Sequence, residues 1–247
     1  VILLLNLLFM KKSIPNMLTL ANLLCGVLAI NLIFDHNING ALLLVVAGTI
    51  FDFFDGFAAR MLKVSGELGK QLDSLADMVT FGVVPGFLLL HAANYMWAGE
   101  HWLEGDAKTI LIGLCCLMIP LFSALRLAKF NIDERQATGF IGLPTPANTL
   151  FIGSLVWLIF NGQAPEILEN RLVLAGIGIV SSLMLVAPIP LLALKFKTFG
   201  FKENAIRYIF IAICILLLAL FQVVAIPFII VVYIGISVFQ NSKEADL

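Results

Sequence analysis

The sequence predicts an all-α, polytopic integral membrane protein. Of its 247 residues, 61% are hydrophobic and only 13% are charged, whereas an average soluble domain is about 45–50% apolar and about 25% charged. The mean hydropathy is +1.03. The apolar residues are also gathered in long runs, and a bilayer-spanning helix needs about 20 of them in succession. These observations predict a single membrane domain over residues 1–247.

Eight runs are apolar enough to be candidate transmembrane helices, and short polar breakers such as "DHNING" and "KFKTFGFKEN" separate them. Each run is close to the length that a helix needs to cross the hydrocarbon core. The predicted segments are 16–34, 40–59, 73–98, 108–129, 145–161, 171–194, 204–221 and 223–239.

The distribution of basic residues predicts the orientation. If the N-terminus is cytoplasmic and the helices alternate, all but two of the 15 lysines and arginines lie on the cytoplasmic side. The exceptions are Lys108 and Arg171. Because cytoplasmic loops carry an excess of Lys and Arg, this bias predicts a multi-pass protein of the cell (inner) membrane. The net charge of −1 gives no indication of a nucleic-acid partner.

The opening "VILLLNLLFMKK" has too few apolar positions before its lysines to span a bilayer, and no small-residue cleavage site follows it. Two interpretations stay open. The segment is an interfacial helix on the cytoplasmic leaflet, or translation starts at Met10 and residues 1–9 do not belong to the natural protein.

The stretch "FDFFDGFAARMLKVSGELGKQLDSLADMV", residues 51–79, places acidic side chains within or beside apolar helices. Asp52 and Asp55 are three residues apart, and Asp73 and Asp77 are four apart. Side chains at these spacings share one helix face. The short linker between the two pairs returns the chain, so we expect four carboxylates to meet at the cytoplasmic end of two neighbouring helices.

Four unneutralised carboxylates would repel one another, and a divalent cation removes that repulsion because it prefers carboxylate oxygen. Gly56 and Gly69 provide places where a ligand can approach the main chain closely. Arg60 supplies a planar cation suited to phosphate. A lone Asp at a helix end is usually solvated or caps the helix, but this combination indicates a site that handles a diphosphate.

The complete spacing, Asp52-x2-Asp55-Gly56-x2-Ala59-Arg60-x8-Gly69-x3-Asp73-x3-Asp77, resembles the signature of the CDP-alcohol phosphotransferase family of membrane enzymes. The resemblance extends upstream to "IPNMLTLANLLCG" and downstream to about residue 150. It implies a catalytic core over residues 14–150, followed by additional C-terminal transmembrane helices over 171–247. It also implies CDP-diacylglycerol as a substrate, membrane lipid around the protein, and a homodimer.

The resemblance further implies individual roles. Two divalent ions, Mg²⁺ or Mn²⁺, would be held by Asp52, Asp55 and Asp73, while Asp77 would contact a metal and act as the general base. Asn16 and Thr19 also fit ordinary helix-start chemistry. The residues expected to bind CDP-diacylglycerol are Asn16, Thr19, Asp52, Gly56, Arg60 and Gly69.

The acceptor is suggested by "SALRLAKFNIDERQATGFIGLPTPAN", residues 123–148, which is similar to the corresponding segment in the branch of the family that transfers to L-serine. Arg126 and Lys129 are three residues apart and can face one cavity, where a guanidinium suits the serine carboxylate. With Asn131, they are the expected acceptor-binding residues.

Three alternatives remain at the level of sequence. The first is the same chemistry with glycerol 3-phosphate, inositol phosphate or choline as acceptor. The second is a cation-coupled membrane transporter, although transport carboxylates usually lie near the middle of the bilayer. The third is a non-catalytic scaffold, which has no need of this spacing.

Overall fold

The computed structural model describes residues 2–64, 66–95, 102–133, 140–191 and 201–245, and it is almost entirely helical. A π-helix, Met78–Val83, joins α3 to α4, and a 3₁₀ turn, Gln222–Val224, joins α8 to α9. The α-helices are α1 Ile2–Phe34, α2 Ile38–Met61, α3 Glu67–Asp77, α4 Val84–Tyr95, α5 Ala107–Ile132, α6 Thr145–Phe160, α7 Arg171–Val186, α8 Phe201–Phe221 and α9 Ala225–Ala245.

The helices confirm the predicted all-α membrane architecture. Within the described residues, five stretches are long and apolar enough to cross a membrane, and α6 and α7 are shorter apolar helices. The five stretches are Ser13–Phe34, Ile38–Met61, Glu67–Tyr95, Ala107–Ile132 and Phe210–Val238. The last contains parts of α8 and α9 with the turn between them, so the number of eight crossings stays a prediction.

The rod formed by α3, the π-helix and α4 lies at the centre of the bundle. It is the most buried of the long helices and packs against α1, α5 and α6. Phe81, Val84, Leu88 and Leu89 are completely buried along it. Many large apolar side chains of the surrounding helices are exposed instead, as expected where lipid covers the protein.

Two helix starts differ from the sequence prediction by more than three residues. Helix α1 begins at Ile2 and continues through Pro15, whereas the predicted segment begins at 16. Helix α3 begins at Glu67, whereas the predicted segment begins at 73. The first turns of α3 are polar, so a search for apolar runs passes over them although they are helical. Helix α7 ends at Val186, whereas the predicted segment continues to 194. The residue before a proline avoids helical geometry, and Ala187, which precedes Pro188, has φ −58° and ψ +137°. The predicted end at 98 lies outside the described residues.

Close packing joins α5 to α7. A Cβ atom at Gly178 would lie 2.6 Å from the main-chain oxygen of Cys115. Just beyond α7, Pro190–Leu191 pairs antiparallel with Phe140–Ile141. Gly142 follows this pairing with φ +79°, and a Cβ atom there would lie 2.4 Å from the Leu185 oxygen. Main-chain contacts therefore fix the segment that leads into α6.

Gly178→Ala should destabilise the fold, because the neighbour that its Cβ meets is main chain and cannot rotate away. Overpacking of this kind costs about 1–3 kcal/mol. The measurement is thermal unfolding of the detergent-purified protein. Gly176→Ala is the matched control, since it lies on the same helix and a Cβ there meets nothing within 4 Å. Equal melting temperatures for the two variants would contradict the packing described.

Candidate active site

Three carboxylates converge where α2 ends and α3 begins. Lys63, just after the end of α2, takes φ +52°. The nearest carboxylate oxygens of Asp52, Asp55 and Asp73 all lie within 4.8 Å of one another. Asp55 is buried, whereas Asp52 and Asp73 are half-buried. The i, i+3 pair and the residue from the next helix thus form the predicted acidic cluster.

Asp77 lies one helical turn beyond Asp73 and joins this cluster through Asp52. The carboxyl groups of Asp52 and Asp77 lie within hydrogen-bonding reach of each other. Two carboxylates at this separation need a proton or a cation between them. Asp77 Oδ1 also accepts a hydrogen bond from Asn22 Nδ2 of α1 at 3.3 Å. All four predicted aspartates are therefore in one group.

A cavity of about 600 Å³ opens beside the cluster. Its volume is typical of small-molecule sites, which measure about 300–1,000 Å³. The predicted residues Asn16, Thr19, Gly56 and Gly69 line it together with Asp55 and Asp73. A Cβ atom at Gly69 would lie 3.4 Å from Asn16 Oδ1, so the absence of a side chain there keeps this part of the cavity open.

Two neighbouring side chains interact with Asp55, which lines the cavity. Thr19 Oγ1 donates to Asp55 Oδ2 at 2.6 Å, which links α1 to α2. Arg60 folds back along α2, because its Nη1 lies 3.3 Å from where a Gly56 Cβ would be. It is close enough to attract the Asp55 carboxylate. Arg60 itself is exposed. Neither Arg60 nor Asp52 is among the residues that line the cavity, although Gly56 and Ala59 beside them on α2 are.

The predicted acceptor residues occupy different environments. Arg126 is only 6% exposed, and its Nη1 donates to Thr145 Oγ1 at 3.3 Å. Its Nε has no partner among the described residues, and its charge interacts with Asp77. Lys129 is exposed. Asn131 donates from Nδ2 to Ser74 Oγ at 2.8 Å, a contact that ties α5 to α3.

Two contacts of the site were not predicted from the sequence. Asn22 bonds to Asp77, and Thr145 bonds to Arg126. Asn22 could have been found, because it lies three residues after Thr19 on the face of α1 that reaches the cluster. Nothing in the sequence distinguishes Thr145 from an ordinary residue at the start of a helix.

Comparison with known proteins agrees with this geometry. A family model described as CDP-alcohol phosphatidyltransferase matches residues 12–238. The chain belongs to this family. It is 42% identical over 134 residues to the CDP-diacylglycerol–serine O-phosphatidyltransferase of Bacillus subtilis, covering 54% of this chain and 69% of the relative.

Two further relatives are more distant. The CDP-diacylglycerol–serine O-phosphatidyltransferase of Helicobacter pylori J99 is 30% identical over 176 residues, which are 68% of this chain and 70% of the relative. The archaetidylserine synthase of Methanothermobacter thermautotrophicus is 33% identical over 145 residues, which are 58% of this chain and 57% of the relative.

The residues fit a divalent metal centre, and this family generally uses divalent cations. Hard cations such as Mg²⁺ and Mn²⁺ take carboxylate oxygen as ligand, and the cluster offers three such groups within 4.8 Å. Among the described residues, no basic side chain forms an ion pair with these carboxylates at salt-bridge distance. The negative charge of the cluster is therefore available to a cation.

Asp55→Asn should weaken binding of Mn²⁺ to the purified protein without substrate, because it removes an anionic ligand but little volume. Removal of a group that only hydrogen-bonds to a metal ligand lowers metal affinity roughly 10- to 100-fold. We expect the Mn²⁺ affinity of Asp55→Asn to fall by more than this, because Asp55 would itself be a ligand. Electron paramagnetic resonance of free Mn²⁺ measures it.

The matched control for the metal experiment is Asp106→Asn. Asp106 caps α5 by accepting a hydrogen bond from the Thr109 N–H at 2.8 Å, far from the cluster. It should bind Mn²⁺ as the unmodified protein does. Equal affinities for the Asp55 and Asp106 variants would argue against a metal at the cluster.

Proposed function

We propose that this protein transfers the phosphatidyl group of CDP-diacylglycerol to the hydroxyl of L-serine, which yields phosphatidylserine and CMP. The observation that carries the proposal is the acidic cluster, with a cavity of about 600 Å³ on one side and the buried Arg126, whose charge interacts with Asp77, on α5. Relatives named for transfer to serine support it. Family membership favours this reaction over the transporter alternative.

In this proposal Asp52, Asp55 and Asp73 hold two divalent ions, and Asp77 contacts one of them. When bound, Mg²⁺ or Mn²⁺ supplies neutralisation of the diphosphate oxygens during an in-line displacement. The carboxylates of the cluster would determine where the positive charge of the cations is held. Their position at helix ends beside the cavity lets one site receive both a lipid and a water-soluble substrate.

The residues of the cavity bind and orient the CDP-diacylglycerol. Asn16 and Thr19 line one wall, Gly56 and Gly69 leave room for the nucleotide, and Arg60 pairs with a phosphate oxygen. The serine oxygen forms a bond to the phosphorus that carries diacylglycerol, and the bond from that phosphorus to the oxygen of CMP breaks. The hydroxyl proton passes to the Asp77 carboxylate, which acts as the general base.

Serine is distinguished by its carboxylate. Arg126 is the proposed partner, because a guanidinium forms charge-assisted hydrogen bonds with a carboxylate and its Nε is unpartnered among the described residues. Its place beside Asp77 would bring the serine hydroxyl to the base. Lys129, exposed at the next turn, and Asn131, held by Ser74, are proposed to complete the acceptor site from its rim.

We further propose that the protein resides in the cell membrane with the acidic cluster at the cytoplasmic face, and that it forms a homodimer. The bias of basic residues supports the orientation. Lys108 and Arg171 lie at the ends of α5 and α7 remote from the cluster, where Arg171 donates to Thr109. The homodimer is carried over from the family resemblance alone, and cross-linking in native membranes tests it.

The proposed reaction predicts serine-dependent release of CMP from CDP-diacylglycerol, and this release should require a divalent cation. The purified protein is assayed with serine, ethanolamine, glycerol 3-phosphate and inositol side by side. Ethanolamine keeps the hydroxyl and the ammonium but lacks the carboxylate, so it should be a poor acceptor. Faster turnover with glycerol 3-phosphate or inositol than with serine would remove serine from the proposal.

Arg126→Ala should raise the KM for serine by about one to two orders of magnitude. A charge-assisted hydrogen bond contributes roughly 1.5–3 kcal/mol, and about 1.4 kcal/mol corresponds to tenfold in binding. The KM for CDP-diacylglycerol should change far less. Lys108→Ala is the control for loss of a positive charge, because it lies at the opposite end of α5. An unchanged KM for serine in Arg126→Ala would indicate that another residue binds the serine carboxylate.

The orientation predicts that a cysteine placed at position 104 reacts with a membrane-impermeant thiol reagent added outside intact cells. A cysteine at position 63, in the turn beside the cluster, should react only after the cells are opened. The four native cysteines are first replaced by serine or alanine, and retained activity of that background is checked. The reverse pattern of labelling would invert the proposed topology.

A further inference from the structure

We propose that Asn22 is a positioning residue, which holds the Asp77 carboxylate in the orientation that accepts the proton of the acceptor hydroxyl. The inference rests on the proposed function, since that function gives Asp77 its role as base. Asn22 Nδ2 donates to Asp77 Oδ1 at 3.3 Å and so connects residues 55 positions apart. Asn22 is completely buried.

The position of Asn22 is itself fixed by the segment that carries Asp77. Thr80 Oγ1 donates to the main-chain oxygen of Asn22 at 3.0 Å, and Thr80 is also completely buried. Thr80 follows Asp77 by three residues, inside the π-helix. The main chain and the side chain of Asn22 are thus both hydrogen-bonded to one short segment. These two bonds restrict the orientation of the Asn22 side chain relative to Asp77.

Two glycines allow this arrangement. A Cβ atom at Gly48 of α2 would lie 3.0 Å from Asn22 Oδ1 and 2.9 Å from Thr80 Cγ2. A Cβ atom at Gly26 of α1 would lie 2.5 Å from Thr80 Oγ1. The three helical segments therefore approach one another as closely as glycine permits. The amide of Asn22 is left with little room to rotate.

An amide suits this role because it is neutral. A lysine or arginine would orient Asp77 equally well, but its charge would compete with the cations that the cluster is proposed to hold. The Asn22 N–H occupies one carboxylate oxygen and leaves the negative charge in place. Asn22 Oδ1 has no partner among the described residues, so the donor is the group that this side chain contributes.

The test compares Asn22→Asp with Asn22→Ser in the full-length, detergent-purified protein. Asn22→Asp keeps the shape of asparagine but replaces the donor by an oxygen that repels Asp77. Asn22→Ser is too short to reach Asp77, but it places no repelling oxygen there. Asp77→Asn is measured alongside and sets the scale of losing the base. Asn31→Asp is the matched control, because Asn31 of the same helix donates to Asp35 at 3.0 Å on the exposed surface.

We expect kcat to fall about 10- to 100-fold in Asn22→Asp and less in Asn22→Ser, with both KM values within about twofold of the unmodified protein. Asn31→Asp should keep full activity. A role in packing alone predicts that Asn22→Ser lowers kcat more than Asn22→Asp does, since serine leaves the larger cavity. It also predicts that kcat falls in proportion to the melting temperature of each variant. That order, or an unchanged kcat, would overturn the proposal.

Three further outcomes are also decisive. If Asn22→Asp does not yield folded protein, Asn22→Ser decides: a lowered kcat at unchanged KM supports the role, and full kcat refutes it. If the unmodified protein prefers another alcohol, serine fails as acceptor while Asn22 is tested with that alcohol. If no alcohol releases CMP, the reaction and the role built on it both fail.

Discussion

Mutual repulsion among four carboxylates is the constraint around which this structure is organised. Asp52, Asp55, Asp73 and Asp77 come from two helices in an otherwise apolar bundle, and separating them would relieve the repulsion. The fold instead holds them together, with hydrogen bonds from Thr19 to Asp55 and from Asn22 to Asp77. Neutral donors orient the anions without cancelling their charge, so the cluster retains its capacity for a cation.

The central rod makes this convergence possible, because it distributes consecutive residues among different neighbours. In the π-helix that follows Asp77, Thr80 bonds to α1, and the Phe81 oxygen accepts a hydrogen bond from Thr149 of α6 at 2.9 Å. Gly82 lies against Ser123 of α5. π-Helical turns are rare in proteins, but those that occur are often found at functional sites. Here the π-helix makes these three contacts within five residues after Asp77.

Much of the site could be predicted from the sequence, because it depends on spacing within single helices. The i, i+3 and i, i+4 relations of the aspartates and glycines needed only helical periodicity. The electrostatic interaction of Arg126 with Asp77 could not be predicted from spacing, since 49 residues separate them and their approach depends on how α5 packs on the rod. Hydropathy likewise located the apolar centres of the helices but not their polar first turns, such as that of α3.

The two cationic side chains that are proposed to bind the two substrates lie in different environments. Arg60 is exposed on α2, whereas Arg126 is buried and donates a hydrogen bond to Thr145. A buried guanidinium that has lost water gains most from a ligand with complementary charge and geometry. The guanidinium of Arg126 also lies over the ring of Phe130, with Cζ 5.8 Å from the ring centroid. The proposed serine carboxylate would therefore complement a buried guanidinium whose Nε has no partner among the described residues, whereas Arg60 is exposed to solvent.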